Sequence, residues 1–147
     1  MLFADLGLSS ELLNAVKTKG YPTPTPIQAK AIPVILGGRD ILASAQTGTG
    51  KTDAFALPLV EILSWQPCKK RQPRALVLTP TRELALQVGE SIKAYARTVA
   101  MRCTVVYGGI GIHPQINRLK RGIDILVATP GRLLDLDGRR HLDLSCV

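Results

Sequence analysis

The sequence predicts an α/β fold in which a parallel sheet is covered by helices on both faces. Short apolar runs alternate with segments of helical periodicity, and three of the four runs are apolar throughout, which is typical of strands buried on both faces. The predicted strands cover residues 41–43, 75–78, 103–107 and 123–128. Because ligands of such sheets bind beyond the carboxyl ends of the strands, the loops after these runs form the predicted site.

Helices are predicted from the capping and breaking residues between the strands. Thr25 as the cap, Pro26 at the first helical position and Gln28 three residues after the cap form a capping box. This helix is predicted to extend to about Leu36, bent or interrupted near Pro33. Further helices are predicted over about 10–19, from 51 onward, over 84–99, over 114–121 and from 130 onward.

The composition predicts one globular domain with a polyanionic partner. Apolar residues make up 46% of the 147 residues, enough to bury a core. The net charge of +8 and the pI near 9.8 favour nucleic acid as the partner, with a basic surface kept for solubility as the alternative.

Nothing in the sequence indicates a membrane or a secretory location. No apolar run approaches the length of a membrane span, and the first residues lack the pattern of a signal peptide. Cys68, Cys103 and Cys146 are odd in number and widely spaced, so they fit neither a disulfide framework nor a zinc site. These features predict a protein of the reducing cytoplasm.

A phosphate-binding loop is predicted over residues 45–52, Ala-Gln-Thr-Gly-Thr-Gly-Lys-Thr. The first predicted strand precedes it and a helix follows, which is the context that such a loop requires. The two glycines allow backbone N–H groups to turn toward a polyphosphate, Lys51 adds a positive charge, and Thr52 offers a hydroxyl to Mg²⁺. The usual pattern opens with Gly where this chain has Ala45. The alternative is a Gly- and Thr-rich turn with an exposed lysine.

A Thr-Pro-x-Arg segment follows two of the predicted strands, at 79–82 and at 129–132. Each places a proline at the turn into a helix and an arginine in the first helical turn. Free N–H groups at a helix start bind phosphate, and the guanidinium adds a charge-assisted fork. Two such clamps on one edge suit a nucleic-acid backbone that is bound without base contacts. The alternative is ordinary helix entry, with both arginines salt-bridged.

Two further features have two interpretations each. Gly108-Gly109 either turns the chain after the third strand or lets a sugar-phosphate backbone approach closely. The capping box explains Gln28, whose amide is also able to donate to and accept from an adenine edge. The two histidines, His113 and His141, have no metal ligands at suitable spacing.

Taken together, these stretches resemble the first RecA-like domain of the DEAD-box RNA helicases, a P-loop NTPase fold. The Q motif of that family is matched by Phe3 and residues 20–28, motif I by 45–52, motif Ia by 80–84, the GG element by 108–109 and motif Ib by 129–132. The family also has alanine first in motif I. The resemblance is closest to bacterial members, and it implies that residues 1–147 are part of the helicase ATP-binding domain, with the Q motif at about 1–29.

The resemblance implies roles for individual residues. Gln28 would hydrogen-bond adenine, Tyr21 would pack on the base, and Phe3 would support the pocket. Lys51 and Thr52 would be catalytic. Thr52 would also be one ligand of Mg²⁺, in a set of ligands that is incomplete here. The ATP phosphates would be bound by Gln46, Thr47, Gly48, Thr49, Gly50, Lys51 and Thr52. The RNA backbone would be bound by Pro80, Thr81, Arg82, Gly108, Gly109, Thr129, Pro130, Gly131 and Arg132.

The resemblance also implies what these residues lack. The family's Asp-Glu-Ala-Asp strand, its Ser-Ala-Thr element and its second RecA-like domain, a partner in catalysis, have no counterpart here, so the domain would be incomplete. Its missing strands would lie between the phosphate-loop strand and the rest of the sheet, leaving unpaired edges.

Phosphoryl transfer needs all of the family's charges together. We therefore expect the 147 residues alone to bind ATP and RNA weakly and not to hydrolyse ATP, whereas the parent would be an ATP-dependent RNA helicase that separates short duplexes. The alternatives are a non-catalytic RNA-binding module and a different P-loop NTPase, such as a GTPase or a kinase.

Overall fold

The computed structural model describes residues 1–147, which form two compact units, 1–67 and 68–147. The first unit contains helices α1 (Ser10–Thr18), α2 (Pro26–Leu36) and α3 (Lys51–Trp65), after a 3₁₀ turn over Phe3–Leu6. The second contains strands β1 (Ala75–Leu78), β2 (Cys103–Val106) and β3 (Ile125–Ala128), with helices α4 (Arg82–Ala96), α5 (His113–Lys120) and α6 (Pro130–Gly138). A second 3₁₀ turn, Arg97–Val99, follows α4.

Helix α2 begins as its capping box predicts. The Thr25 hydroxyl accepts from the backbone N–H of Gln28 (3.5 Å), and the Gln28 side-chain Oε1 accepts from the backbone N–H of Thr25 (3.0 Å). Pro26 occupies the first helical position, where its missing N–H has no intrahelical partner to lose. Helix α2 extends to Leu36 as predicted, but Pro33 lies inside it without interrupting it.

One buried carboxylate joins the start of α1 to α3. Glu61 of α3 is 4% exposed. One of its oxygens accepts from the backbone N–H of Ser9 (2.9 Å), and the other accepts from the indole N–H of Trp65 (3.0 Å). Both oxygens therefore have a donor, which is what burial of a charged group requires.

The predicted strand over residues 41–43 is absent. These residues belong to no sheet, and Leu42 is fully exposed. An apolar run becomes a strand only where a neighbouring strand offers its N–H and C=O groups, and none of β1, β2 and β3 pairs with it. The prediction of four strands was therefore wrong, and the phosphate-binding loop follows an unpaired segment.

The sheet of the second unit is parallel, as predicted, with the strand order β1-β3-β2. Val127 of the central strand β3 lies opposite Val77 of β1 and Val105 of β2. All four residues of β3 are fully buried, which explains why this run is apolar throughout. The strand begins at Ile125 rather than at 123, and β2 ends at Val106 rather than at 107.

Helices cover both faces of this sheet, which confirms the predicted fold class. Helix α4 covers one face, and α5 and α6 cover the other. Gly89 of α4 packs on Val105 of β2, and a Cβ built on Gly89 would lie 2.2 Å from Val105 Cγ2. Glycine in the middle of α4 therefore allows the helix to approach the strand closely. The face toward α5 and α6 forms a core cluster of Val106, Ile116, Leu119, Ile123, Leu126, Ala128, Leu133 and Leu136.

The longest helices, α3 and α4, have 15 residues each. No helix of the structure combines the length and the apolar composition that crossing a bilayer requires. All three cysteines are free thiols.

Candidate nucleotide and nucleic-acid sites

The phosphate-binding loop contains two glycines with left-handed backbone conformations. Gly48 has φ 79° and Gly50 has φ 81°, a region that residues with a Cβ rarely adopt. Gly50 is the N-cap of α3, so the loop leads directly into a helix whose first residues are Lys51 and Thr52. The free N–H groups and the positive dipole end of this helix favour an anion beside the loop.

Lys51 and Thr49 are bonded to carbonyl groups of the loop itself. The Lys51 ammonium donates to the carbonyl oxygen of Ala45, and the Thr49 hydroxyl donates to that of Gln46 (2.6 Å). A polyphosphate in the loop would compete with the Ala45 oxygen for this ammonium. The phosphate is the stronger acceptor because it carries a formal charge.

Gln28 links the capping box of α2 to the phosphate-binding loop. Its Nε2 donates to the carbonyl oxygen of Gly50 (3.2 Å), while its Oε1 accepts from Thr25, and the residue is 3% exposed. A Cβ on Gly50 would lie 2.3 Å from Gln28 Nε2, so the contact requires glycine. The capping role of Gln28 and a position beside the nucleotide loop therefore occur together.

Tyr21 presents an exposed aromatic side chain in the same unit. It is 45% exposed, and the nearby Asp53 carboxylate raises the pKa of its phenol, because a second negative charge there is unfavourable, with burial adding to the rise. Asp53 itself is buried, 3.7 Å from the Lys19 ammonium. Tyr21 is therefore a neutral ring of the kind that a base can stack on. Phe3, by contrast, is buried in its 3₁₀ turn.

The two Thr-Pro segments lie side by side at the carboxyl edge of the sheet, because β1 and β3 are neighbours. The Thr79 N–H donates to the last carbonyl of β3 (2.9 Å), and the Thr129 N–H donates to the last carbonyl of β2 (3.1 Å). Thr81 caps α4 by accepting from the Leu84 N–H (3.2 Å), whereas the Thr129 side chain makes no capping bond to α6. The start of α6 therefore keeps N–H groups and a hydroxyl for an anion.

Arg82, in the first turn of α4, is exposed and lies over the ring of Tyr107, with 5.0 Å between the guanidinium carbon and the ring centroid. This is a cation–π contact. Tyr107 directly precedes Gly108, so the contact joins the first Thr-Pro-x-Arg segment to the Gly-Gly turn. The Arg82 guanidinium forms no ion pair with a carboxylate, contrary to the salt-bridged alternative.

Arg132 differs from Arg82, because its side chain is only 11% exposed and is bonded to protein atoms. One guanidinium nitrogen donates to Gln115 Oε1 (3.0 Å), and another donates to the Ile110 carbonyl (2.9 Å). Its Nε also lies 4.0 Å from the Asp135 carboxylate. In the second segment the guanidinium is therefore engaged within the protein, chiefly by an amide oxygen and a backbone carbonyl rather than by a carboxylate.

Gln115 is a residue of this edge that the sequence reasoning missed. It is fully buried on α5, and its Nε2 donates to the Tyr107 carbonyl (3.0 Å) while its Oε1 accepts from Arg132. One amide thus connects the end of β2 to the start of α6. The available signal was a glutamine four residues before Leu119, on the apolar face of a short helix.

The Gly-Gly turn is open on its outer side. Gly109 has φ 83°, and neither Gly108 nor Gly109 has an atom within 4 Å of an added Cβ. The backbone therefore requires a glycine at 109, whereas the space beside 108 leaves room for a ligand. Residues 79–82, 107–110 and 129–132 meet at this one edge.

The sequence profile of the DEAD/DEAH box helicases matches residues 25–147. The chain belongs to this family. It is 50% identical over 137 residues to the probable ATP-dependent RNA helicase DDX46 of Danio rerio, a match that covers 92% of this chain. It is 48% identical over 145 residues to the RNA helicase CrhR of Synechocystis, covering 99% of this chain.

The matched relatives are much longer than this chain, which spans 14% of the Danio rerio protein and 29% of the Synechocystis protein. The fold is similar to the crystal structure of a DEAD box protein from the hyperthermophile Methanococcus jannaschii, with a TM-score of 0.90 and 43% identity. That match covers 100% of this chain and 39% of the other, and it confirms the predicted RecA-like type of domain.

A divalent cation at the nucleotide loop of this DEAD-box chain would have few protein ligands. Thr52 places a hydroxyl at the second position of α3, and no group of three or more His, Cys, Asp and Glu side chains is arranged to hold a metal ion. Mg²⁺ commonly keeps several waters and takes its other ligands from one or two carboxylates and from substrate phosphates. Thr52 therefore fits as a partial ligand only.

Proposed function

We propose that this chain is the ATP-binding and RNA-binding part of an ATP-dependent DEAD-box RNA helicase, whose parent protein separates or remodels short RNA duplexes. The observation that carries the proposal is the bond between Gln28 and Gly50, which joins the Q motif to the phosphate loop at the start of α3. The names of the two relatives given above support the same activity.

ATP binding begins with the exchange of one acceptor for another at Lys51. The ammonium leaves the Ala45 carbonyl for the outer phosphates, and the loop residues 46–50 turn their N–H groups toward the same anion. Tyr21 stacks on the base, and Phe3 supports this pocket from the core. The Gln28 amide uses one donor and one acceptor position internally, and its remaining donor and acceptor bond to the adenine edge.

Thr52 would supply one hydroxyl toward Mg²⁺, which would neutralise charge on the phosphates. The two catalytic residues proposed here, Lys51 and Thr52, are not sufficient for hydrolysis, which also needs a carboxylate for the metal and a group that orients water. We therefore propose that the 147 residues alone bind ATP without turning it over, and that a second RecA-like domain, as a partner, completes the site.

RNA binds along the carboxyl edge of the sheet through its phosphates. Arg82 supplies the exposed guanidinium, Thr129 and the start of α6 supply a hydroxyl and N–H groups, and Gly108 allows close approach. Arg132 fixes the Gly-Gly turn to α6 through its bonds to Gln115 and Ile110, and its remaining N–H groups contact the RNA backbone in this proposal. The remaining contacts in this proposal are Pro80, Thr81, Gly109, Pro130 and Gly131.

The finer assignments are part of the same proposal. Residues 1–147 are a partial RecA-like domain with the Q motif at about 1–29, of the bacterial type and cytoplasmic. The bacterial type rests on the resemblance of the motifs, since the relatives from Danio rerio and Synechocystis match at similar identity. The three free cysteines support a reducing compartment.

Competition between ATP and GTP tests the nucleotide proposal. We expect adenine preference, and we expect Lys51→Ala to weaken ATP binding by about 1.5–3 kcal/mol, the usual scale for a hydrogen bond to a charged group. Gln28→Ala should remove the preference for adenine. Lys30→Ala, on the exposed side of α2, is the matched control, and a preference for guanine would rule the proposal out in favour of another P-loop NTPase.

A non-catalytic RNA-binding module is the second candidate, and the segregation of charge favours it. Residues 1–67 contain five basic and five acidic side chains, whereas residues 68–147 carry the whole excess of +8. Under this function, RNA affinity depends strongly on salt and is untouched by Lys51→Ala or by added ATP. An ATP-dependent change in RNA affinity distinguishes the helicase from the module.

A further inference from the structure

The basic side chains of the second unit are concentrated away from the carboxyl edge. Residues 68–147 contain fourteen of the nineteen Lys and Arg residues but only six of the eleven Asp and Glu residues. The proposed RNA edge uses just two of these cations, Arg82 and Arg132, and Arg132 is bonded internally. Most of the positive charge is therefore unexplained by the proposed function.

Five of these cations surround one recess at the opposite, amino edge of the sheet. The recess has a volume of about 490 Å³ and lies where β2 begins at Cys103, with Gly122 and Ile123 just before β3 also lining it. Its cations are Lys93, Arg97, Arg102, Arg118 and Arg121. A strand of four residues separates the two edges by roughly 13 Å, so one phosphate cannot contact both.

Few carboxylates neutralise this recess. Glu90 lies 3.7 Å from Lys93, and Asp124 is engaged by Arg74 (3.0 Å) and by the backbone N–H of Arg102 (3.1 Å). The guanidinium groups of Arg97 and Arg121, both exposed, make no hydrogen bond or ion pair within the protein. No protein carboxylate therefore compensates the charge of these two guanidinium groups, and the recess is open to an external anion.

Helix termini explain only part of this arrangement. Cations near the last turns of α4 and α5 stabilise the negative ends of the helix dipoles, which accounts for Lys93, Arg97, Arg118 and Arg121. Arg102 lies on no helix, and its guanidinium is held in place by the Arg121 carbonyl (2.7 Å). Its fixed position at the recess is therefore not a consequence of helix capping.

The basic loop that leads into β1 extends the same surface. Arg71 crosses directly over Gly122, since a Cβ built on Gly122 would lie 2.8 Å from the Arg71 Cβ. Gly122 also lines the recess, so Arg71 of this loop borders it. We call the recess and Arg71 together the amino-edge surface.

We propose that the amino-edge surface is a second RNA-binding surface, which holds the phosphate backbone of a duplex without reading its sequence. The inference rests on the proposed function for the class of ligand, but it uses none of the residues proposed there. It gives the chain two separate contacts with RNA, one at each edge of the sheet.

Three observations favour a nucleic-acid backbone over other anions. The surface is longer than a single small anion, because it joins the recess to Arg71 of the adjoining loop. Arg118 lies in the last turn of α5 and Arg121 is its C-cap in a helical conformation, so their Cβ atoms are about 5–6 Å apart, a spacing suited to successive phosphates. No aromatic side chain lines the recess, so bases have nothing to stack on, and binding through duplex phosphates follows.

A blunt-ended RNA duplex titrated without nucleotide tests the proposal. The variant combines Arg97→Gln, Arg118→Gln and Arg121→Gln in the full chain, and a second variant keeps Arg118, which bonds to the Pro114 carbonyl of its own helix (3.4 Å). The matched control combines Lys17→Gln, Lys30→Gln and Arg39→Gln, three exposed cations of the first unit. It removes the same three charges from elsewhere.

We expect the triple variant to bind the duplex about tenfold more weakly at moderate salt, and the slope of log affinity against log salt to become shallower by about two. The double variant should show a smaller change in the same direction, and the control almost none. Unchanged affinity in both variants, or an equal loss in the control, would overturn the proposal. Polyglutamate is titrated as a second probe. If the triple variant loses affinity for polyglutamate but keeps its affinity for the RNA duplex, the proposal is also overturned, and the surface binds an acidic protein partner instead.

The two proposals fail separately. If Arg82→Gln leaves RNA affinity unchanged and Lys51→Ala leaves ATP affinity unchanged, while the amino-edge variants lose affinity for the duplex, the proposed function fails and the amino-edge proposal is retained. If the amino-edge variants bind the duplex as tightly as the unmodified chain while Lys51→Ala loses affinity for ATP, the proposed function is retained and the amino-edge proposal is wrong.

Discussion

The guanidinium of Arg132 donates to the side-chain oxygen of Gln115 at 3.0 Å, inside the protein. A second bond from Arg132 reaches the Ile110 carbonyl (2.9 Å), and Gln115 in turn donates to the Tyr107 carbonyl (3.0 Å). Two side chains thus tie the turn after β2 to the start of α6. The arginine predicted to bind phosphate is used to shape the edge at which phosphate is expected.

Gln115→Leu should destabilise the fold and weaken RNA binding at the carboxyl edge. The change leaves the Tyr107 carbonyl and one nitrogen of Arg132 without their partner in a buried place, which costs about 1–3 kcal/mol. Urea denaturation measures this loss as a lower midpoint with an unchanged slope. Gln87→Leu, at an exposed position of α4, should leave the midpoint nearly unchanged, and equal effects of the two changes would contradict the network.

Gly50→Ala should cost more stability than Gly48→Ala, although both glycines have the same backbone conformation. Their φ angles are 81° and 79°, so an alanine pays a left-handed penalty of about 1–2 kcal/mol at either site. Only at Gly50 does the new Cβ meet another atom, 2.3 Å from Gln28 Nε2, whereas nothing lies within 4 Å at Gly48. Thermal unfolding of the two variants provides the comparison.

Removing the Gln28 side chain should cancel the difference between these two glycines. In a Gln28→Ala background the extra loss at Gly50 disappears and the common penalty remains. An extra loss that persists in that background would mean that the Gln28 contact is not its cause.

Gly89→Ala should destabilise the chain even though alanine is the better helix former. Propensity alone would stabilise α4 by about 1 kcal/mol, but the new methyl would lie 2.2 Å from Val105 Cγ2 and force the helix away from β2. Denaturant unfolding should therefore show a loss of about 1–3 kcal/mol, the usual range for overpacking. Val105→Ala in the same chain should restore part of it, and Gly138→Ala, with open space around it, should show no loss.

Cys103 should react with iodoacetamide far more slowly than Cys68. Burial raises the pKa of the Cys103 thiol to about 12, so almost none of it is thiolate at pH 8, and thiolate is the reactive form. Cys68 is exposed and serves as the internal comparison. Mass spectrometry of the alkylated peptides measures both rates, and equal rates would contradict the buried thiol.

The same shift makes stability depend on pH in the alkaline range. The thiol ionises near pH 8.5 in the unfolded chain but only near 12 in the folded one, so its contribution is complete below about pH 8.5 and is lost as pH rises toward 12. The free energy of unfolding should fall more steeply over this range in the unmodified chain than in Cys103→Ala.

Local chemistry was predictable from the sequence wherever neighbours in the chain decide the outcome. Thr25, Pro26 and Gln28 form the predicted capping box because its bonds join residues three apart. The loop from Gly48 to Lys51 lies at the start of a helix for the same reason. The apolar run of β3 indicated a strand buried on both faces, and the structure confirms it.

Features that depend on distant partners were not predictable in this way. The run 41–43 has the composition of a strand, but strand formation depends on a neighbouring edge that is absent here. Gln115 looked like one polar residue of a short helix, and only the fold brings it to Arg132. The basic residues 118 and 121 were visible as a basic helix, whereas their proximity to Arg97 and Arg102 depends on strand order and direction.

That strand order has a consequence for how the molecule is made. β3, the last of the three strands to be synthesised, is the only one that pairs with the other two. Until the ribosome has added the residues from Ile125 onward, β1 and β2 have no strand to pair with, and their apolar side chains are exposed. These three strands therefore pair only once β3 has been made, and before that point β1 and β2 are exposed to aggregation and to proteases.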